Sequence, residues 1–388
     1  MASSMHCQSY VFDPRPRYPL QLTAKRYWIP SENALLSNDS DALTLIFTHG
    51  TGFHKEIWEP TIEHLFDVIA NENNNGRSGQ RVKIREVWSV DAPDHGDAAI
   101  LNEKVLQWGY SEVVSWEEHA RSLHAFLTGL GTGVDVDFST HNLVGVGHSM
   151  GAVSLILSET YMPELRFSSM ILVEPMIVPE PPKAFKERLS AGFLISAAQR
   201  RRDVFPSREE ATKYVQNSGV SKHWDPRVQK VFVKHGLRQL PTAEYPKLTE
   251  GVTLKCSKVM EIACYKDALG RTRAFQRLHL LCSQIPVHFV YGVINDQVPG
   301  VVKENFLTVG AKGRHASVTR IDGAGHLVPH MQPQRLGRAL MEILQCRPAS
   351  KVAEATEAPE NTKLPHGHEK QFEAQAQASL RGHLRSFL

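Results

Sequence analysis

The sequence predicts an α/β protein with one mostly parallel sheet that is covered by helices on both faces. Strand-like and helix-like segments alternate over the first half of the 388-residue chain, and such alternation is typical of parallel strands joined by helices. The alternation stops after Pro179 and returns at Pro286. An inserted segment of different composition therefore interrupts the predicted sheet.

Each predicted element follows from a local pattern. Short apolar runs that end at turn-forming or charged residues predict strands, and apolar residues that recur every three or four positions predict helices. The predicted strands are 20–30, 42–48, 82–90, 142–146, 169–173, 286–291 and 317–321. The predicted helices are 117–130, the segment after Gly151 through 159, and 333–344, with an Asn-rich loop at 71–80.

These elements predict four parts of the chain. Residues 1–179 and 284–347 are expected to form the sheet domain in two pieces. Residues 180–283 have helical composition and no clear strand, which predicts a helical cap inserted over the carboxyl edge of the strands. Residues 348–388 are expected to be a polar C-terminal tail with a surface helix at 369–385.

Composition excludes several classes of protein. Lys plus Arg number 44 and Asp plus Glu number 41, and this balance gives no reason to expect nucleic acid as a partner. No apolar run approaches the ~18–20 residues of a membrane span, so no stable membrane insertion is expected. The 5 cysteines show no short paired spacing and residues 1–19 contain no secretory signal, which predicts an intracellular, reducing compartment.

The sharpest motif is Gly147-His148-Ser149-Met150-Gly151, a G-x-S-x-G pattern between a predicted strand and a predicted helix. A serine nucleophile on so tight a turn needs small neighbours on both sides. The turn also directs the next N–H at a developing oxyanion, where the helix N-terminus adds partial positive charge. The motif predicts Ser149 as a nucleophile and Met150 as an oxyanion donor.

A serine hydroxyl needs a base within hydrogen-bond reach. His326 is the predicted base, because it lies in a Gly-rich segment between the last predicted strand and the last predicted helix. Two acids could orient it: Asp296 follows the strand at 286–291, and Glu174 follows the strand at 169–173. Either carboxylate can accept the imidazole N–H, and spacing alone slightly favours Asp296.

The turn after the strand at 42–48 predicts a second oxyanion donor. There the N–H of Thr51, or that of Gly52, can face the N–H of Met150. Gly52, Phe53 and His148 are predicted to bind substrate.

No metal and no organic cofactor is predicted. The acidic cluster at 91–97 lacks a second nearby histidine, and the glycines before Ser149 miss the dinucleotide-binding spacing. The basic run Arg200–Arg202 is expected to be a solvated helix face, with contact to an anionic substrate group as the lesser alternative.

Five segments together resemble the fungal peroxisomal α/β-hydrolase group. They are H-G-x-G-F-x-K-E-x-W-E-P at 49–60, D-x-x-x-H-G-D at 91–97, G-H-S-M-G at 147–151, L-V-E-P at 172–175 and G-H-L-V-P at 325–329. That group includes the yeast peroxisomal lipase and hydrolases of fungal toxin and polyketide pathways that cleave acyl-CoA thioesters. The resemblance covers roughly residues 20–347 and implies the α/β-hydrolase fold.

The resemblance also bears on the acid and on location. In that group the acid lies in an I-D-P or I-E-P segment after the strand that follows the nucleophile, which favours Glu174 over Asp296. It implies a peroxisomal location, with a C-terminal tripeptide of small, basic and leucine residues. This chain ends Ser386-Phe387-Leu388 and departs from that tripeptide at Phe387.

The sequence therefore predicts a serine hydrolase that cleaves a small-molecule acyl ester or acyl-CoA thioester through an acyl-enzyme. A lipase or carboxylesterase that acts on lipid esters is the alternative within the same chemistry. A catalytically silent scaffold is the alternative of another class, although such a protein would usually have lost Ser149 or His326. Serine at this turn argues against epoxide hydrolase and dehalogenase chemistry, which use aspartate there.

Overall fold

The computed structural model describes residues 5–74, 81–177 and 191–346, and within them eight strands form one central sheet. Three short strands form a second sheet. The strands are, in chain order, β1 (His6–Phe12), β2 (Leu22–Trp28), β3 (Leu43–Thr48), β4 (Ile84–Val90), β5 (Asn142–His148), β6 (Ser169–Val173), β7 (Val204–Phe205), β8 (Leu237–Gln239), β9 (Val252–Leu254), β10 (Val287–Gly292) and β11 (Ser317–Ile321).

Helices connect and cover these strands. Ser115 is the N-cap of the helix that starts at Trp116, and its side chain accepts a hydrogen bond from the N–H of Glu117. The helices are α1 (Pro30–Leu36), α2 (Glu59–Asn74), α3 (Gly96–Leu101), α4 (Glu103–Gly109), α5 (Trp116–Leu127), α6 (Met150–Ser158), α7 (Ala191–Arg200), α8 (Arg208–Asn217), α9 (Pro226–His235), α10 (Lys258–Tyr265), α11 (Leu269–Gln284), α12 (Gly300–Asn305), α13 (Val328–Met331) and α14 (Pro333–Gln345).

The order of the central sheet is β1-β2-β4-β3-β5-β6-β10-β11. Strands β1, β2 and β4 pair antiparallel at one edge, whereas the remaining neighbours pair parallel. In register, Thr48 pairs with Gly147, His148 pairs with Val173, and Val173 pairs with Val290. The carboxyl ends of the parallel strands therefore meet at one edge, where ligand sites of open α/β sheets lie.

Apolar residues of each central strand alternate between two cores, as a pleated strand requires. In β3, Ile46 belongs to the core beneath α5 and α6, whereas Leu45 and Phe47 belong to the core beneath α2 and α14. In β6, Leu172 belongs to the core beneath α5 and α6, and Ile171 belongs to the core beneath α2 and α14. Both faces of the sheet are therefore buried, and this explains why its strands read as nearly continuous apolar runs.

The fold class predicted from sequence is confirmed, and most predicted elements agree closely with the observed bounds. Strand β1 is missing from the prediction, because its residues are mostly exposed and carry little apolar alternation. Helix α2 extends to Asn74, so the first part of the predicted loop at 71–80 is helical. The rest of that loop, residues 178–190 and the predicted tail at 348–388 with its helix lie outside the described residues.

The segment between β6 and β10 contains α7 to α11, as its composition predicts. The expectation that it contains no strand is wrong, because β7, β9 and β8 pair antiparallel in that order. These strands have only two or three residues each, too few for sequence alternation to reveal them. They carry a small apolar core of their own with Phe205, Val215 and Leu237.

Among the described helices, none is both long and apolar enough to cross a membrane.

Candidate active site

Ser149 lies on the turn between β5 and α6, where its φ is 54° and its ψ is −115°. A Cβ on Gly147 would lie 2.6 Å from the Cα of Ala152, and one on Gly151 would lie 2.5 Å from the carbonyl oxygen of Thr48. Both glycines are therefore required by the close approach of helix and strand. Of the described non-glycine residues, only three have positive φ, and Ser149 and Glu174 are two of them. Such strain typically marks functional positions.

Ser149, His326 and Glu174 form a row of polar contacts at the carboxyl edge of the sheet. His326 Nε2 lies 3.0 Å from Ser149 Oγ, and His326 Nδ1 lies 3.4 Å from Glu174 Oε2. The three side chains are almost fully buried. They are brought together from the ends of β5 and β6 and from the loop after β11, although His326 follows Ser149 by many residues in the chain.

Glu174 is fixed by contacts to its second carboxylate oxygen. Oε1 accepts hydrogen bonds from the Lys303 ammonium at 2.6 Å and from the Gly292 N–H at 2.8 Å. Both members of the Lys303 pair are buried, with side chains 1% exposed. Lys303 belongs to α12 and was not singled out by sequence reasoning, because a single lysine in a short amphipathic helix is normally a solvated residue.

Asp296 contacts the backbone of His326. Its Oδ1 accepts a hydrogen bond from the His326 N–H at 2.8 Å. The His148 imidazole contacts the other backbone group of His326, since His148 Nε2 donates a hydrogen bond to the His326 carbonyl oxygen at 2.9 Å. The two acids proposed from sequence thus have different places: Glu174 faces the imidazole, and Asp296 anchors the peptide that carries it.

The loop after β3 packs against Ser149 and α6. Thr51 donates its hydroxyl hydrogen to the Met150 sulfur at 3.4 Å, which ties this loop to the first turn of α6. The Gly52 N–H is already used, because it donates to His95 Nε2 at 2.8 Å. The Gly52 N–H, one of the two predicted oxyanion donors, is therefore already engaged, and the role of the Thr51 N–H stays a prediction.

The segments at 49–60 and 91–97 meet behind this loop. The Lys55 ammonium donates to Asp91 and to Asp97, each at 2.8 Å, and the Lys55 N–H donates to Asp91 at 2.7 Å. His95 Nδ1 lies 2.8 Å from Asp94 Oδ1, which leaves Nε2 free to accept from Gly52. The acidic cluster therefore braces the loop. Among the described residues, no group of His, Cys, Asp and Glu side chains could hold a metal ion.

Several imidazoles on this side of the molecule are kept neutral by burial. Desolvation, with a smaller contribution from the charge of His326, lowers the pKa of His148 to about 3. Desolvation likewise lowers the pKa of His119 to about 3. It also holds the pKa values of His49 and His330 well below the ordinary range. A neutral His148 can keep its single ring proton on the nitrogen that faces His326.

A cavity of about 510 Å³ opens above Ser149, a volume in the range of small-molecule sites. The sheet and the segment between β6 and β10 both line it. Sheet-side lining residues include Gly50, Thr51, Phe53, His148, Ser149 and His326, and lining residues of the other segment include Leu194, Ala198, Phe205, Val215, Leu254 and Arg271. Of the residues predicted to bind substrate, Phe53 and His148 line the cavity, whereas Gly52 packs against Glu261 and His95.

The arrangement agrees with comparisons to known proteins. The model of the alpha/beta hydrolase family matches residues 45–339, most of the chain. The chain belongs to the alpha/beta hydrolase family. In alpha/beta hydrolases the nucleophile stands on a strand-turn-helix of this kind.

Curated relatives come from the fungal part of this family. The type I acyl-CoA thioesterase mpaH of Penicillium roqueforti is 30% identical over 276 residues, which is 70% of this chain and 55% of that protein. The mpaH protein of Penicillium brevicompactum is 33% identical over 206 residues, 53% of this chain and 42% of that protein. The chain spans about half the length of these relatives. They confirm the resemblance that the sequence motifs indicate.

A solved structure shows the same fold. The peroxisomal alpha-beta-hydrolase Lpx1 of Saccharomyces cerevisiae has a TM-score of 0.65 and 19% identity, and the match covers 98% of each chain. At this identity the likeness concerns the hydrolase fold alone.

Proposed function

We propose that the chain is a serine hydrolase that cleaves a small-molecule acyl ester or acyl-CoA thioester. The observation that carries the proposal is the continuous row from Ser149 Oγ through the His326 imidazole to the Glu174 carboxylate, beneath a mostly apolar cavity. A serine is nucleophilic near neutral pH only when a base can take its proton, and here one stands at 3.0 Å.

In the proposed reaction, Ser149 Oγ attacks the acyl carbonyl carbon while His326 Nε2 takes the hydroxyl proton. The backbone N–H groups of Thr51 and Met150 hold the oxyanion of the tetrahedral intermediate. His326 then returns the proton to the leaving alcohol or thiol, which leaves an acyl-enzyme. A water molecule, deprotonated by His326, releases the acid and restores Ser149.

The proposal assigns different tasks to the two acids. Glu174 accepts the His326 Nδ1 proton and stabilises the imidazolium that forms during attack. Asp296 positions the His326 backbone through the N–H contact at 2.8 Å. Lys303 keeps the Glu174 carboxylate in place and compensates its buried charge.

The substrate class rests on two supports. The names of the Penicillium relatives support an acyl-CoA thioester. The cavity has room for an acyl group and apolar walls to contact it. The segment at 180–283 is proposed to act as a cap, since its described part forms the cavity wall opposite Ser149.

Labelling with a fluorophosphonate probe tests the nucleophile. We expect the wild-type protein to be labelled and the Ser149→Ala variant not. Ser154→Ala is the matched control, because Ser154 is buried in the same helix and bonds only to backbone carbonyl oxygens. Equal labelling of wild type and Ser149→Ala would contradict the proposal and favour the silent scaffold.

Hydrolysis assays test the bond that is cleaved. Acyl-CoA thioesters and p-nitrophenyl esters of matched chain length should both be turned over, and Ser149→Ala should lose several orders of magnitude in kcat on each. Preference for emulsified lipid esters over both soluble classes would support the lipase alternative instead.

The proposal includes a peroxisomal location, which the name of the Saccharomyces protein supports. An N-terminal fluorescent fusion should colocalise with a peroxisomal marker in fungal cells. A diffuse signal would contradict this part of the proposal and leave the chemistry untouched.

A further inference from the structure

The cavity above Ser149 carries an unusual balance of charge. Its described lining contains four arginines, Arg200, Arg201, Arg202 and Arg271, but Glu261 is the one carboxylate among the same lining residues. The remaining lining is mostly apolar. Charges in such a setting are weakly screened, so each cation needs a partner.

Two of these arginines have partners within the protein. Arg201 forms an ion pair with Glu261, whose carboxylate is buried and also accepts the Tyr265 hydroxyl at 3.2 Å. Arg202 donates to the Val204 carbonyl oxygen at 3.0 Å, and its guanidinium lies over the Phe205 ring. Arg200 is exposed. Protein groups or solvent therefore compensate the charge of these three cations, although the Arg201 Nε is also buried without a hydrogen-bond partner.

Arg271 differs from them. It forms no hydrogen bond or ion pair with any described residue, and its Nε is buried without a partner. Burial lowers the pKa of its guanidinium, because desolvation disfavours the charged form. It is also in the first turn of α11, where the helix dipole disfavours a cation.

Asp267, a carboxylate whose charge acts on Arg271, does not pair with it. The oxygens of Asp267 accept the N–H groups of Trp116 at 2.8 Å and of Leu269 at 2.9 Å. They also accept the N–H of Gly270 at 3.3 Å. Asp267 thus caps α11 and braces the start of α5, and its charge reaches Arg271 only from a distance.

A short series of contacts links Arg271 to the residue after the nucleophile. Its guanidinium carbon lies 5.7 Å from the centre of the Trp116 ring, and the Trp116 indole N–H donates to the Cys264 carbonyl at 2.9 Å. The Cys264 sulfur lies 3.2 Å from the sulfur of Met150, the residue after Ser149. An anion at Arg271 would therefore belong to the acyl part of the substrate, since the pantetheine arm of CoA keeps its phosphates many bonds from the thioester.

We propose that Arg271 binds a carboxylate carried by the acyl group, so that the enzyme prefers acyl chains with an acidic end. The inference rests on the proposed function and extends it to the substrate. A guanidinium matches a carboxylate through two parallel N–H···O bonds, and charged hydrogen bonds of this kind are the strong ones. The Trp116 face beside it offers an apolar surface for the chain between carboxylate and scissile carbonyl.

The test compares p-nitrophenyl glutarate with p-nitrophenyl pentanoate, which have equal carbon counts and a leaving group without phosphates. Wild type should show the higher kcat/KM on the glutarate ester. Arg271→Gln should lower the ratio of the two kcat/KM values by about 10- to 100-fold, the range expected for a charged hydrogen bond. Arg271→Lys should keep part of the preference, because it keeps the charge but loses the planar fork.

Arg273→Gln is the matched control, because Arg273 lies on the same helix and pairs at the surface with Glu117. It should leave the ratio unchanged. A ratio that stays the same in Arg271→Gln, or that falls equally in Arg273→Gln, would overturn the proposal.

A binding measurement separates this inference from the proposed function. Calorimetry with the Ser149→Ala protein should show tighter binding of glutaryl-CoA than of pentanoyl-CoA, with no variant at position 271 needed. Equal affinities would overturn the carboxylate site even if hydrolysis is intact. Loss of affinity for both thioesters and for free CoA in the Ser149→Ala, Arg271→Gln protein would assign Arg271 to a CoA phosphate and also overturn it. A glutaryl preference in a protein that hydrolyses nothing would keep the site and reject the hydrolase.

Discussion

The two walls of the cavity are built differently. On the sheet side, hydrogen bonds from several elements hold the polar groups near Ser149. Even the backbone N–H and carbonyl oxygen of His326 are hydrogen-bonded to side chains. On the cap side, which we define as the described lining residues 194–271, the wall is largely apolar and includes a cation without a partner. The sheet-side wall fixes Ser149, His326 and Glu174 by contacts within the protein, although His148 Nδ1 is buried without a partner, whereas the Arg271 guanidinium of the cap-side wall has no ion pair with a described residue.

This difference indicates a division of labour. Catalysis requires reacting groups that do not move, because misplacement of about 1 Å can cost about 100-fold in rate. Substrate selection requires a surface that is complementary in shape and charge to the preferred substrate. Changes in the sheet-side wall should therefore alter kcat, and changes in the cap-side wall should alter the preference among substrates.

The largest expected effect concerns the two acids of the sheet side. Glu174→Gln should lower kcat by about 10³- to 10⁴-fold, because an amide cannot stabilise the imidazolium of His326 in the same way. Asp296→Asn should cost far less, because its amide oxygen can still accept the His326 N–H. Steady-state kinetics on one ester decides between them. If only Asp296→Asn loses orders of magnitude, the assignment of the acid is wrong.

A smaller effect is expected at Lys303, which acts through Glu174. Lys303→Met removes the partner of a buried carboxylate, so Glu174 can turn away from His326. We expect kcat to fall by about 10- to 100-fold with little change in KM. Lys303→Arg should recover part of the rate.

The control for this effect is Lys83→Met, which breaks a surface pair with Asp39 and should leave kcat within about twofold. A rise in KM with unchanged kcat in Lys303→Met would show that Lys303 does not position the acid.

The two walls also differed in how far the sequence predicted them. The sequence predicts Ser149 and His326 as site residues because they lie on short glycine-rich turns between a strand and a helix, and such turns are local patterns. The acid was harder: spacing favoured Asp296, and it does contact His326, but through the backbone. Only the resemblance to a family favoured Glu174, whose carboxylate faces the imidazole.

The rest could not be predicted because it depends on contacts between distant segments. Lys303 reaches Glu174 across 129 residues, and no periodicity marks it. The sequence does not distinguish Arg271 from other helix arginines, because only the folded structure shows which groups surround it. The small sheet of the cap depends on pairing between strands too short to carry a pattern of their own.

A smaller change is expected from reshaping the cap-side wall. Ala198→Leu places extra carbons in the cavity and should raise KM several-fold for long acyl esters but not for short ones. Leu194→Ala on the same helix widens the cavity and should shift the preference toward longer chains. KM measured over a chain-length series shows both shifts. An equal loss of kcat at every length would mean that this wall also positions the catalytic groups.

The smallest effect on activity at neutral pH is expected at His119, one of the buried imidazoles on the sheet side. Its pKa of about 3 lies below the ~6.5 of a free histidine, so between these values the unfolded chain binds more protons than the folded one. The free energy of unfolding should therefore fall as pH decreases below about 6.5. From pH 7 to pH 5, this one side chain accounts for a loss of about 2 kcal/mol.

Replacing His119 with leucine removes that proton uptake. Urea unfolding at pH 7 and pH 5 should show a difference in unfolding free energy that is about 2 kcal/mol smaller in His119→Leu than in wild type. His223→Leu, at an exposed histidine, is the control for replacing an imidazole at the surface. If both variants change the pH dependence equally, then burial of His119 does not make the sheet side sensitive to acid.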